Sequence, residues 1–184
     1  CQMGLKFETD GFRAVYGTVA AFMWMMTTLF STEYFRHYRN RNRYYLFMIM
    51  TLGATEGVLF SADLYTTFIF FEMMSFASYV WVVQEEMPEA ISASRSYLTI
   101  GVLGGLVTLM GVFLLYHLAG TLQLDALRDA CAAVENRRLL YAAGGCILFG
   151  FAAKAGMFPL HFWMPRSYTV APAPATAILS AVLS

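Results

Sequence analysis

The chain has 184 residues, of which 59% are hydrophobic, 16% aromatic and only 13% charged, with a mean hydropathy of +0.56; an average globular chain carries roughly a quarter charged residues. Twelve basic and twelve acidic residues cancel to a formal net charge of zero, so no basic field points to nucleic acid and no acidic run to a solvating tail. The shortage of charge excludes an ordinary water-soluble domain and leaves an integral membrane protein.

The first element is the run of 19 uncharged residues from 14 to 32, between Arg13 and Glu33. That length crosses a hydrocarbon core about 30 Å thick at 1.5 Å per residue. The long apolar stretch from Tyr44 to Gln84 carries only Glu56, Asp63 and Glu72, and is divided near Ser61–Asp63 into spans 44–62 and 64–84. A fourth span covers 96–119, inside an uncharged stretch that runs on to Leu124 and contains His117. The fifth, 139–158, contains Lys154, and the sixth, 168–184, follows the prolines Pro159 and Pro165. The expected fold is therefore all-α, a polytopic bundle of transmembrane helices that is multi-pass in the bilayer.

Arg36, Arg39, Arg41 and Arg43 crowd the first loop, and an excess of basic residues marks cytoplasmic loops. This places the 36–43 loop in the cytoplasm and, by parity, the turn at Asp63 outside, Glu85 to Arg95 inside, Thr121 to Arg138 outside and His161 to Ser167 inside. The chain begins at Cys1 and stops at Ser184 within an apolar run, and is read as a fragment. No basic segment followed by a short apolar core and a small-residue cleavage site stands at its start, so no signal peptide is expected. Cys1, Cys131 and Cys146 are too scattered for a metal or iron–sulfur framework. His117 and His161 fall at opposite membrane faces, so they are not placed to sandwich a haem iron; no cofactor and no metal are expected.

Charges inside spans carry the functional signal. On insertion scales a charged side chain at a helix centre costs on the order of 2.5–3.5 kcal/mol, and such residues tend to face protein or water and to mark ion routes. Glu72, among Phe68, Ile69, Phe70, Phe71, Met73 and Met74, and Lys154, five residues before Pro159, are the two that matter. Burial disfavours the charged form of either group and an opposite charge nearby restores it, so movement of one changes the protonation of the other. A structural ion pair, or a lysine whose stem lets it reach the interface, explains the same residues without transport. Asp63 is expected to cap or end a helix at the outer surface, and Glu56, near the same end, to lie in interfacial water or on a path. The glycines of spans four and five suit close helix packing.

Three segments together carry a resemblance. Lys154 to Ser184 reads KAGMFPLHFWMPRSYTVAPAPATAILSAVLS, Asp63 to Val82 reads DLYTTFIFFEMMSFASYVWV, and Arg95 to Leu127 reads RSYLTIGVLGGLVTLMGVFLLYHLAGTLQLDAL. The first resembles the lysine, PLHxW, APxP signature of the proton-translocating, antiporter-like membrane subunits. The second resembles their aspartate–leucine start followed by FFE and SY, and the third their helix ending in Y-x-x-x-G-T. These subunits belong to respiratory complex I, Mrp-type cation/proton antiporters and membrane-bound hydrogenases. Two departures stand out: Arg166-Ser167-Tyr168 replaces the more usual Asp-Ala-His, and Ser180 stands where the largest complex I subunits have a histidine.

The resemblance implies a fragment of a 14-helix antiporter-like fold with inverted repeats. It places Glu72 on the family's intramembrane glutamate, Lys154 on the lysine of an interrupted helix, and His161 on the PLHxW histidine. The implied function is that of a proton-translocating subunit in a redox-driven complex, of the NADH:quinone oxidoreductase or hydrogenase kind, with no redox centre of its own. In that reading Glu72 tunes Lys154, Lys154 carries the proton and His161 relays it on the inner side. The implied partners are other membrane subunits and the lipid bilayer, and the ions are protons, with sodium as an alternative; the implied location is a prokaryotic cell membrane. An Mrp-type antiporter subunit is the alternative within the family, and a non-conducting membrane scaffold is the alternative of another class.

Overall fold

The computed structural model describes residues 4–37 and 40–182. Cys1, Tyr38 and Arg39 of the basic loop, and residues 183–184 at the end of the last expected span lie outside them. Among the described residues the secondary structure is helical: α1 (Gly11–Tyr34), α2 (Arg41–Leu59), α3 (Leu64–Val82), α4 (Pro88–Ala119), α5 (Leu124–Ala133), α6 (Arg137–Lys154), a 3₁₀ turn (Leu160–Phe162), α7 (Trp163–Val170) and α8 (Ala173–Ala181). Two of these, α1 and α4, are long and apolar enough to cross a membrane by length and composition.

Local chemistry sets most of the helix ends. The Asp10 carboxylate accepts from the Arg13 N–H at 2.7 Å and starts α1, and the Asp63 carboxylate accepts from the Thr66 N–H at 2.6 Å and starts α3. Each satisfies a donor that the first turn leaves without an intrahelical partner. Pro88 occupies the first turn of α4, where its missing N–H costs nothing. This helix therefore begins well before position 96, and most of the expected inner loop 85–95 is helix. At its other end Gly120 adopts φ 71° and closes α4 in the left-handed conformation. Two further differences lie in the second half. A short amphipathic helix, α5, occupies the loop between spans four and five, and the expected sixth span is two helices, α7 and α8, parted at Ala171 and Pro172.

Backbone bonds tie one end of the bundle together: Glu8 N–H donates to Phe60 O, Ala62 N–H to Lys6 O, Leu64 N–H to Leu122 O and Leu124 N–H to Ala62 O. The start of α1, the α2–α3 turn and the end of α4 thus share that end. At the opposite end Arg43, in the first turn of α2, reaches across to the end of α3. Its guanidinium donates to Gln84 O at 3.0 Å, Gln84 Oε1 at 3.3 Å and Glu86 Oε1 at 2.5 Å, and Gln84 Nε2 donates to Asn40 O at 3.2 Å. Arg43→Ala removes all three contacts from a partly exposed side chain and is expected to lower stability by about 1 kcal/mol. Thermal unfolding in detergent measures the effect, and an unaltered midpoint refutes the clamp.

The core is aromatic at the Arg43 end, where Trp24, Phe35, Tyr44 and Trp81 are essentially inaccessible. The Trp24 indole donates to Met48 O at 3.1 Å, so a large apolar ring enters the core without an unpaired N–H. The exterior is equally apolar: Phe12, Val15, Val19, Phe22, Leu29 and Phe30 of α1 and Leu103, Leu106, Met110 and Phe113 of α4 are exposed. So continuous an apolar surface suits lipid or neighbouring subunits and not water.

Candidate functional site

The site is built where α3, α4, α6 and α7 meet. Phe71 of α3 packs edge-on against Phe151 of α6, with ring centroids 5.0 Å apart, so Glu72, next to Phe71, and Lys154, about one turn after Phe151, fall in one region. Between α4 and α6 the backbones nearly touch. A Cβ added at Gly150 would collide with Thr108 Oγ1 and lie 2.6 Å from Gly104 O, and Thr108 turns its hydroxyl to the Gly104 carbonyl at 2.9 Å. Small residues at such a contact let helices approach closely enough for dispersion to hold them.

α6 ends at Lys154 itself. Gly156 follows with φ 65°, and a Cβ there would collide with Met164 Sδ. A cis Phe158–Pro159 bond and the 3₁₀ turn then lead into α7. The break frees carbonyls at the end of α6, and the Trp163 indole donates to one of them, Ala153 O, at 3.0 Å. The tryptophan of the PLHFW stretch thus closes the interrupted helix beside the lysine.

Lys154 is buried, with 7% of its surface exposed. Its Nζ donates to the Tyr97 hydroxyl and lies 4.5 Å from that ring's centroid. Tyr97 Oη is 2.6 Å from Ser78 Oγ, and Ser78 in turn donates to Met74 O at 2.7 Å. Tyr97 also packs edge-on against Trp163 at 5.0 Å. A chain of polar groups therefore leads from the lysine through a fully buried serine into the backbone of α3.

Glu72 is half-buried on α3 and faces α4 at Gly105. A Cβ at Gly105 would collide with Glu72 Oε1 and lie 2.8 Å from Oε2, so the glycine makes the room in which the carboxylate sits. Oε1 is buried with no hydrogen-bond partner. Among the described residues the ion pairs within 4.0 Å do not include Glu72 with Lys154, although the two are near enough to interact electrostatically. A cavity of about 10 Å³ lies between α3 and α4, lined by Glu72, Ser75, Phe76, Tyr97, Leu98 and Gly101 among others.

The remaining sequence-derived candidates lie elsewhere. His161, on the 3₁₀ turn, is exposed and stacks on Phe158 with centroids 5.7 Å apart. Asp63 is the buried cap of α3, as its position at a helix start suggested. Glu56 faces α1, where a Cβ at Gly17 would come within 2.8 Å of its Oε2. Tyr97, Ser78 and Gly105 are the site residues that sequence reasoning overlooked. Ser75 and Ser78 follow Glu72 at intervals of three, which puts all three on one side of α3, and this spacing was the available signal.

A helix broken beside a buried lysine, packed against helices that bring a half-buried glutamate into electrostatic reach, defines the class of antiporter-like transmembrane subunits. The chain belongs to the family described as NADH:quinone oxidoreductase/Mrp antiporter, TM, whose model matches residues 61–184. It is 29% identical over 181 residues to the D subunit of the Na(+)/H(+) antiporter of Alkalihalophilus pseudofirmus, covering 98% of this chain and 37% of that protein. It is 26% identical over 181 residues to hydrogenase-4 component B of Escherichia coli, covering 97% and 26%. Its fold matches a chain of the membrane-bound sulfane sulfur reductase, an archaeal respiratory membrane complex, with TM-score 0.89 and 27% identity over 98% of this chain and 37% of the other. A chain of the Mrp complex from Dietzia sp. shares the fold at TM-score 0.80 and 23% identity, over 98% and 34%. The chain thus spans between about a quarter and little more than a third of the length of these relatives.

Proposed function

We propose that this chain is part of a proton-translocating, antiporter-like subunit of a multisubunit membrane complex, in which Lys154 carries the proton, Glu72 biases its protonation and His161 passes protons on the arginine-loop side. The observation that carries the reading is a buried lysine at the end of an interrupted helix with a single hydroxyl acceptor and a carboxylate held close but unpaired. A charge kept at membrane depth without a tight counter-ion gains or loses a proton more readily than one locked in an ion pair. The carboxylate sits against a glycine, so its position depends on how α3 and α4 pack, and helix movement there alters the field at Lys154. The 36–43 loop is taken as cytoplasmic by its arginines, and the membrane as that of a prokaryotic cell.

Electron flow in a respiratory or hydrogenase-type complex is the proposed driving force, a reading supported by the likeness to the archaeal respiratory complex. The relatives named as D subunits of Na(+)/H(+) and K(+)/H(+) antiporters favour a second reading, in which an ion gradient drives the same relay. Glu72→Gln in the complete, assembled protein is expected to slow proton uptake into vesicles by about tenfold, equivalent to ~1.4 kcal/mol of barrier. Unchanged uptake with Glu72 and Lys154 neutralised together identifies a scaffold and sinks the proposal.

A further inference from the structure

We propose that Tyr97 is a positioning residue for Lys154, holding the lysine nitrogen in both of its protonation states while Ser78 absorbs the change in hydrogen-bond direction. The functional meaning of this rests on Lys154 acting as the proton carrier; the geometry does not. An ammonium group has three donors and no acceptor, so in the charged state Nζ–H donates to Tyr97 Oη, the tyrosine O–H donates to Ser78 Oγ, and the serine O–H donates to Met74 O. Each hydroxyl in this chain then both accepts and donates, and the chain ends on a backbone carbonyl of α3. When Lys154 is neutral its nitrogen gains a lone pair. The tyrosine O–H then swings to donate to Nζ, and the Ser78 O–H turns from Met74 O to donate to Tyr97 Oη, 2.6 Å away. Neither state leaves the lysine nitrogen without a partner, which a low-dielectric interior makes costly.

The surroundings fix the ring and leave the hydroxyl free to turn. Tyr97 is 4% exposed and Ser78 fully buried, and the edge-on contact with Trp163 holds the phenol ring. Trp163 is itself anchored to Ala153 O, one residue before Lys154. Among the described residues the ionisable side chains brought toward Lys154 are Tyr97 from α4 and Glu72 from α3; on α7 Arg166 is exposed and Tyr168 packs edge-on against Trp163, and His161, on the turn packed against α6, is exposed and stacked on Phe158. The tyrosine also lines the cavity that Glu72 lines, so the residue that bonds the lysine borders the carboxylate's surroundings as well.

The test is a titration of Lys154 in the full-length protein within its complex, in lipid nanodiscs, followed by NMR of labelled lysine with the signal assigned by its loss in Lys154→Arg. Tyr97→Phe keeps the ring against Trp163 and deletes only the hydroxyl. It is expected to lower the Lys154 midpoint by about one pH unit, because the hydrogen bond lost from the charged state is roughly twice as strong as the one lost from the neutral state, with thermal stability close to that of the parent. An unchanged midpoint overturns the proposal. Should Tyr97→Phe fail to assemble, Ser78→Ala carries the test, because it removes the acceptor that orients the tyrosine; a smaller shift in the same direction is expected for it where both variants assemble, and no shift in Ser78→Ala also overturns the proposal. The midpoint is read without transport, so a Lys154 that proves dispensable for proton uptake defeats the transport reading and leaves this one standing.

Discussion

Lys154→Ala is expected to reduce proton translocation by the assembled complex to the level of empty vesicles, a loss of more than about a hundredfold, which corresponds to ~2.7 kcal/mol or more of barrier. The expectation follows from the lysine's isolation. Its Nζ bonds Tyr97 and no carboxylate within ion-pair distance among the described residues, and the other lysine, Lys6, lies at the far end of the bundle, its main chain bonded to the α2–α3 turn. Alanine removes the titrating group and leaves the Tyr97 hydroxyl still bonded to Ser78. The helix break, set by Gly156 and closed by Trp163 on Ala153 O, does not depend on the lysine side chain. The variant is therefore expected to assemble, and translocation at the parent rate by an assembled Lys154→Ala complex rules out the lysine as carrier.

Gly150→Ala is expected to give the largest loss of stability. The new methyl group would fall on Thr108 Oγ1 and within 2.6 Å of Gly104 O, so α4 and α6 must separate or Thr108 must leave its bond to that carbonyl. Overpacking of this kind costs about 1–3 kcal/mol. Gly150→Ala combined with Thr108→Ala is expected to recover part of the loss, because the hydroxyl is the nearer obstacle while the Gly104 carbonyl stays in place. Thermal unfolding of the detergent-solubilised protein measures both. A Gly150→Ala variant as stable as the parent shows that the two helices are not held at this contact. Since α4 carries Tyr97 and α6 carries Lys154, the same variant is expected to loosen the site.

Composition and motif spacing were enough to reveal the membrane class and the helical architecture, and to set Glu72 and Lys154 apart. Both follow from local chemistry: uncharged runs of spanning length, and two charges that a bilayer tolerates only in protein surroundings. Asp63 as a helix cap was legible for a similar reason, since a carboxylate at a helix start bonds N–H groups only three residues away. The extension of α4 back to Pro88, the separate helix α5 and the parting of α7 from α8 were less legible, because hydropathy marks where a chain is apolar and not where its backbone bonds begin and end.

Whether Glu72 meets Lys154 directly was open in the sequence, because residues so far apart along the chain meet only through helix rotation and crossing. The tertiary structure decided it. Gly104 and Gly150 set the depth at which α4 and α6 pack, Gly105 admits the carboxylate, and Tyr97 with Ser78 takes the place beside the lysine that a carboxylate would otherwise fill. Charge in a membrane helix is visible residue by residue, but the partner of that charge is a property of the packed interface.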